Sequence, residues 1–123
     1  MKLRIKGNSI RLRLTKSEVE RFGKEGYIDE RTEFSTQYLV YALQQYDGPN
    51  LSADLENGVV TVYMPAALAH EWANSQKVGF EYEHELANGK KLYILIEKDF
   101  KCLDENITED QSDQYDNPLL KHE

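Results

Sequence analysis

Residues 2–14 read KLRIKGNSIRLRL, and residues 52–64 read SADLENGVVTVYM. In the first stretch Leu3, Ile5, Ile10, Leu12 and Leu14 alternate with Lys2, Arg4, Lys6, Arg11 and Arg13. A period of two marks a β-strand with one face turned to a core. The pair Gly7-Asn8 between the two runs supplies a two-residue hairpin turn, and a turn of that length fixes the register. Ser9 then lies opposite Lys6, Ile10 opposite Ile5, Arg11 opposite Arg4, Leu12 opposite Leu3 and Arg13 opposite Lys2. One face of this hairpin is apolar and the other is a block of cations.

The second stretch repeats the first without gaps at an offset of 50. Ile10, Leu12 and Leu14 fall on Val60, Val62 and Met64, Phe22 falls on Trp72, and Gly7-Asn8 falls on Asn57-Gly58. After the first hairpin, Thr15 with Glu18 three residues on forms a capping box, which predicts a helix with Val19 and Phe22 on its buried side. Gly23 and Gly26 are placed to end it. Strands are expected over 27–34 and 37–46, and Asp47-Gly48-Pro49-Asn50 forms a turn cluster at the seam between halves. The second half predicts strands over 51–56 and 59–64, Pro65 at the first helical position, an apolar stripe of Leu68 and Trp72, and strands over 77–86 and 91–97. A turn at Asn88-Gly89-Lys90 puts Val78, Phe80, Tyr82, His84 and Leu86 on one face with Leu92, Ile94 and Ile96, and Glu81, Glu83 and Glu85 on the other.

The pattern is ββαββ twice, an α+β class. Each half is too small for a core of its own, so residues 1–103 are expected to form one pseudo-symmetric domain of halves 1–50 and 51–103. The expected form is a mostly antiparallel, barrel-like sheet with two short helices, because closure removes exposed strand edges.

The stretch 2–14, followed by Thr15-Lys16-Ser17-Glu18-Val19 and the Gly23–Gly26 turn, resembles the DNA-binding half of AbrB/MazE-like transition regulators and antitoxins, a swapped-hairpin family. The likeness covers residues 1–35, with a weaker echo over 51–86. Thr15 stands where that family usually has proline, and Pro65 fills the place in the second half. The whole chain also looks like a group of small uncharacterised bacterial proteins. The resemblance implies a single-chain version of a pair of exchanged hairpins, contact with double-stranded DNA, and an acidic C-terminal extension that wraps a protein partner.

Composition is that of a folded domain: 123 residues, 40% hydrophobic, 30% charged and three prolines. Wholesale disorder and low-complexity classes are excluded. The apolar runs are too short to span a bilayer and the N-terminus lacks a signal-peptide core, so no membrane association and a cytoplasmic location are expected. The single cysteine, Cys102, has no partner for an internal disulfide.

The net charge of −7 is unevenly spread, with +6 over residues 1–16, −7 over 17–103 and −6 over 104–123. The basic face of Lys2, Arg4, Lys6, Arg11 and Arg13, shaped by the turn at Gly7 and Asn8, is the candidate contact for a nucleic acid or other anion. Like charges directly opposite one another destabilise a sheet, so an anionic partner or the protein's own acids must offset them. The equivalent positions of the second half carry Ser52, Asp54, Thr61 and Tyr63. The basic face is therefore not a requirement of the repeated fold. The tail over 104–123 carries Asp104, Glu105, Glu109, Asp110, Asp113 and Asp116, with a protein-binding or autoinhibitory role expected over 104–120. Its acids do not have the spacing of a calcium loop, and no metal or cofactor is expected.

Catalytic signals are weaker. Glu97, Asp99 and Cys102 lie close in sequence, and His84 is the nearest candidate base for a thiolate, but its place on the apolar strand face fits a core histidine better. His70 and His122 have no partner at metal-ligand spacing. Alternating glutamates at 81, 83 and 85 fit a solvated face. Phosphate-binding, dinucleotide, nucleophile-elbow and zinc signatures are absent. The sequence thus points to a non-enzymatic binding protein, with a protein-interaction module lacking nucleic-acid binding as the alternative and an enzyme using Cys102 or Glu97/Asp99 behind it. Oligomeric state is open.

Overall fold

The computed structural model describes residues 1–100 and Tyr115. Strands β1 (Lys2–Lys6) and β2 (Ser9–Leu14) lead into helix α1 (Lys16–Glu25), then β3 (Tyr27–Glu33) and β4 (Tyr38–Tyr46). The order repeats with β5 (Ser52–Glu56), β6 (Val59–Pro65), α2 (Ala66–Ala73), β7 (Gly79–Glu85) and β8 (Lys91–Lys98).

Local chemistry explains the element ends. Gly7 has φ 54° while Asn8 does not enter the left-handed region, the dihedral pattern of a II′ turn; Asn57 at 52° and Gly58 at 79° make the I′ counterpart. The order Gly-Asn in one half and Asn-Gly in the other thus follows from two turn types of the same hand. The Glu18 carboxylate accepts the Thr15 N–H at 2.8 Å, and Gly26 closes α1 in the left-handed conformation. Gly23, expected to help end this helix, lies inside it, where a Cβ would come within 2.8 Å of the Ala73 side chain. Pro65 is the N-cap of α2 and the last residue of β6, not the first helical residue.

The barrel expected from the sequence does not form. The eight strands make two separate four-stranded sheets, ordered β1-β2-β8-β7 and β3-β4-β6-β5. Each sheet takes one hairpin from each half, joined through parallel pairs in its centre, β2 with β8 and β4 with β6. Closure would require ladders at the corners between the sheets. Side chains occupy those corners instead: the Tyr41 hydroxyl on β4 donates to the Met1 carbonyl beside β1 at 3.5 Å, and the Ala53 N–H on β5 donates to His84 Nδ1 on β7 at 3.4 Å. The α+β class, the repeated ββαββ order and the two short helices are as expected.

The inward faces of both sheets share one core, including Leu12, Leu14, Leu43, Val62, Met64, Ile94 and Ile96. Phe22 and Trp72, equivalent in the repeat, meet edge to face with ring centroids 6.4 Å apart. The β7–β8 pairing puts Phe80, Tyr82 and His84 opposite Ile96, Ile94 and Leu92, the expected face. Its turn lies one residue earlier, since Leu86 N–H donates to the Lys90 carbonyl. Moving the turn by one residue shifts the pairing by two, which keeps every side chain on its side. Among the described residues no helix is long and apolar enough to cross a membrane.

Candidate functional site

The register of β1 on β2 is the one given by the alternation, with Arg4 opposite Arg11 and Lys2 opposite Arg13. Pairing of β2 with β8 then carries the outward face across the sheet, placing Glu97 beside Arg13, Leu95 beside Arg11 and Tyr93 beside Ser9. The last strand adds Glu81 and Glu83. The outer face therefore runs from a cationic edge at β1 to an acidic edge at β7.

Two acids near the end of β8 offset part of the positive charge. Arg13 Nε donates to Glu97 Oε1 at 2.8 Å, and Arg11 Nε lies 3.5 Å from the same oxygen. Lys2 Nζ lies 3.3 Å from Asp99 Oδ2, on a residue that is only 4% exposed. Arg4 and Lys6 differ from these three. Both are exposed, and among the described residues neither has a carboxylate within ion-pair distance. They border a shallow depression of about 210 Å³ whose other walls are Ser9, Ile10, Arg11, Tyr93 and Leu95. In the turn of Gly7 and Asn8 between β1 and β2, Asn8 Nδ2 donates to the Lys91 carbonyl at 2.6 Å and ties the hairpin to β8.

Glu97 and Asp99, considered above as a catalytic pair, are thus counterions of the basic face. Tyr93 donates its hydroxyl to Glu81, and this hydrogen bond, with a smaller contribution from burial, holds the phenol above its usual pKa. Glu83 lies 3.5 Å from Lys91 Nζ. His84, expected as a core histidine, is only half-buried and lies at the corner between the sheets, where it accepts the Ala53 N–H. His70 lies in α2 beside Asn74, whose amide donates to the His70 carbonyl at 2.9 Å. Among the described residues no group of three or more His, Cys, Asp or Glu could hold a metal ion.

Ser9, Tyr93 and the buried Lys98 were missed in the sequence. Lys98 was legible: it continues the inward alternation of Ile94 and Ile96 and pairs with Leu14. Its ammonium donates to the Ser75 carbonyl at 2.8 Å, lies 5.0 Å from the Tyr115 ring centre, and is pushed below the ordinary lysine pKa by burial. Tyr115 N–H donates to the Asp99 carbonyl at 2.8 Å. The tail acids Asp104, Glu105, Glu109, Asp110, Asp113 and Asp116, along with Cys102 and His122, lie outside the described residues.

These features define an internally duplicated two-sheet α+β protein with a polarised outer face. The chain belongs to the family of unknown function DUF7009, whose model matches residues 1–119. No curated protein and no solved structure matches it.

Proposed function

We propose that this protein is a binding protein whose β1–β2 hairpin contacts the phosphates of double-stranded DNA, as the likeness of residues 1–35 to AbrB/MazE-like regulators implies. One observation carries the reading: Arg4 and Lys6 project from an edge strand without an ion pair among the described residues, beside a depression that also offers Arg11, Ser9 and Tyr93. Arg4 faces Arg11 directly, a like-charge pair that an anion between them relieves. A two-stranded ribbon fits a major groove, and guanidinium groups suit phosphate and guanine alike. Arg11 and Arg13 are partly neutralised by Glu97, and Lys2 by Asp99, so the contact rests on fewer charges than the five on the face.

The test is fluorescence anisotropy of a mixed pool of labelled duplexes against the full chain at several salt concentrations. Two to three phosphate contacts give a log–log salt slope of about −2 to −3. The double variant R4S/K6S should bring that slope about 2 units closer to zero and weaken binding at low salt, with its unfolding midpoint not lowered, because both side chains are exposed and the loss of Arg4 relieves its repulsion with Arg11. A wild-type chain that does not bind, or a variant that binds as well as wild type, sinks the reading.

A further inference from the structure

The two sheets end on equivalent strands, β1 in one and β5 in the other, each the first strand of its half. Positions on these strands correspond at the offset of 50, and their charges are inverted: Arg4 answers to Asp54 and Lys6 to Glu56. Between them stand Ile5 and Leu55, which are 61% and 68% exposed. Among the described residues, Asp54 and Glu56 have no cation within ion-pair distance, as Arg4 and Lys6 have no acid. Two edges of the same hairpin geometry thus carry opposite free charges around a bare aliphatic side chain.

We propose that β1 of one molecule adds to β5 of a second copy of this chain. Both hairpins have the same hand, so joining the edges with both charged faces outward requires a half-turn about the sheet normal. That makes the new pair antiparallel. With Ile5 opposite Leu55, Arg4 falls opposite Glu56 and Lys6 opposite Asp54, so both charge pairs share one face and the aliphatic pair covers the other. Ile5 and Leu55 exchange main-chain hydrogen bonds once the Leu55 N–H leaves the Asp54 carboxylate it now donates to at 3.0 Å, while the Ala53 N–H stays with His84. The other acidic edge, β7, is a poorer mate. Its Glu81 and Glu83 already engage Tyr93 and Lys91, and it runs parallel to β1, which gives the weaker ladder.

The two edges lie on opposite sides of the molecule, since β1 begins beside Tyr41 of β4 while β5 lies beside His84 of β7. The contact is therefore head to tail and propagates beyond a dimer. It goes beyond the nucleic-acid reading and competes with it, because an Arg4–Lys6 edge engaged by a second copy is hidden from phosphate.

Sedimentation velocity of the full chain over a concentration series, without DNA, tests the contact. Weight-average mass should rise past the dimer at low salt and fall toward the monomer as salt screens the charge pairs. The variants R4E/K6E and D54K/E56K should each self-associate more than about tenfold more weakly, and an equimolar mixture of the two should regain association, since opposite edges again meet. A wild-type chain that stays monomeric overturns the proposal, as does a D54K/E56K variant that associates like wild type or a mixture that shows no rescue. D54S/E56S adds no cation and leaves the β1–β2 hairpin intact, so DNA binding by that variant reports on the nucleic-acid reading separately.

Discussion

Trp72→Ala is expected to lower the folding free energy by about 3–5 kcal/mol, the cost of emptying a fully buried aromatic site. Trp72 is wholly inaccessible, meets Phe22 edge to face, and donates its indole N–H to the Val78 carbonyl at 2.9 Å. The side chain thus links the two halves of the repeat through the helix pair and also anchors the chain just before β7. Trp72→Phe separates these roles. It keeps most of the ring volume and loses the donor, so it should cost about 1–2 kcal/mol. Denaturant unfolding followed by far-ultraviolet circular dichroism reads both, since Trp72 is the sole tryptophan and cannot report on its own replacement. A cost below about 1 kcal/mol for Trp72→Ala contradicts a core shared by both halves.

Gly79→Ala should be almost as damaging, although the substitution adds a single methyl group. A Cβ at this position would lie 2.1 Å from the Ile96 carbonyl oxygen and 2.8 Å from Glu97 Cα. These are backbone atoms of the adjoining strand, so relief requires β7 to move away from β8. Such movement pulls on the Val78 carbonyl, which accepts both Trp72 Nε1–H and the Lys98 N–H, each at 2.9 Å. Overpacking and loss of these bonds together should cost about 3 kcal/mol. Alanine at Gly89, where φ is 83° and space around the site is open, separates close approach from turn strain and should cost about 1 kcal/mol. Equal costs at the two positions would argue against the close approach.

Period-two alternation and the two-residue turns made the first hairpin legible down to its pairs, because both signals are local. The equivalence of Phe22 and Trp72 was visible in the repeat, but their edge-to-face contact was not predicted and comes from the packing of α1 on α2. Sheet closure was not legible. Alternation says which face of a strand is buried but not which distant strand lies beside it, and the pairing of β2 with β8 joins residues as far apart as Ser9 and Tyr93. The same gap hid the partners of the basic face. Once β8 lies beside β2, the outward parity of Glu97 and Asp99 brings them to Arg11, Arg13 and Lys2, so the first offset to the cationic block comes from the neighbouring strand. The exposure of Arg4 and Lys6 follows from β1 being an edge, a property of the sheet order rather than of the hairpin.

The most direct measurement is a backbone amide NMR titration of the full chain with a short DNA duplex at low salt. The largest shift changes should fall on residues 3–12 and on Tyr93, with the outer face of the β3-β4-β6-β5 sheet, around Tyr38 and Tyr63, left unmoved. Changes centred on that second sheet, or none at all, would contradict the proposal that the basic hairpin is the binding surface.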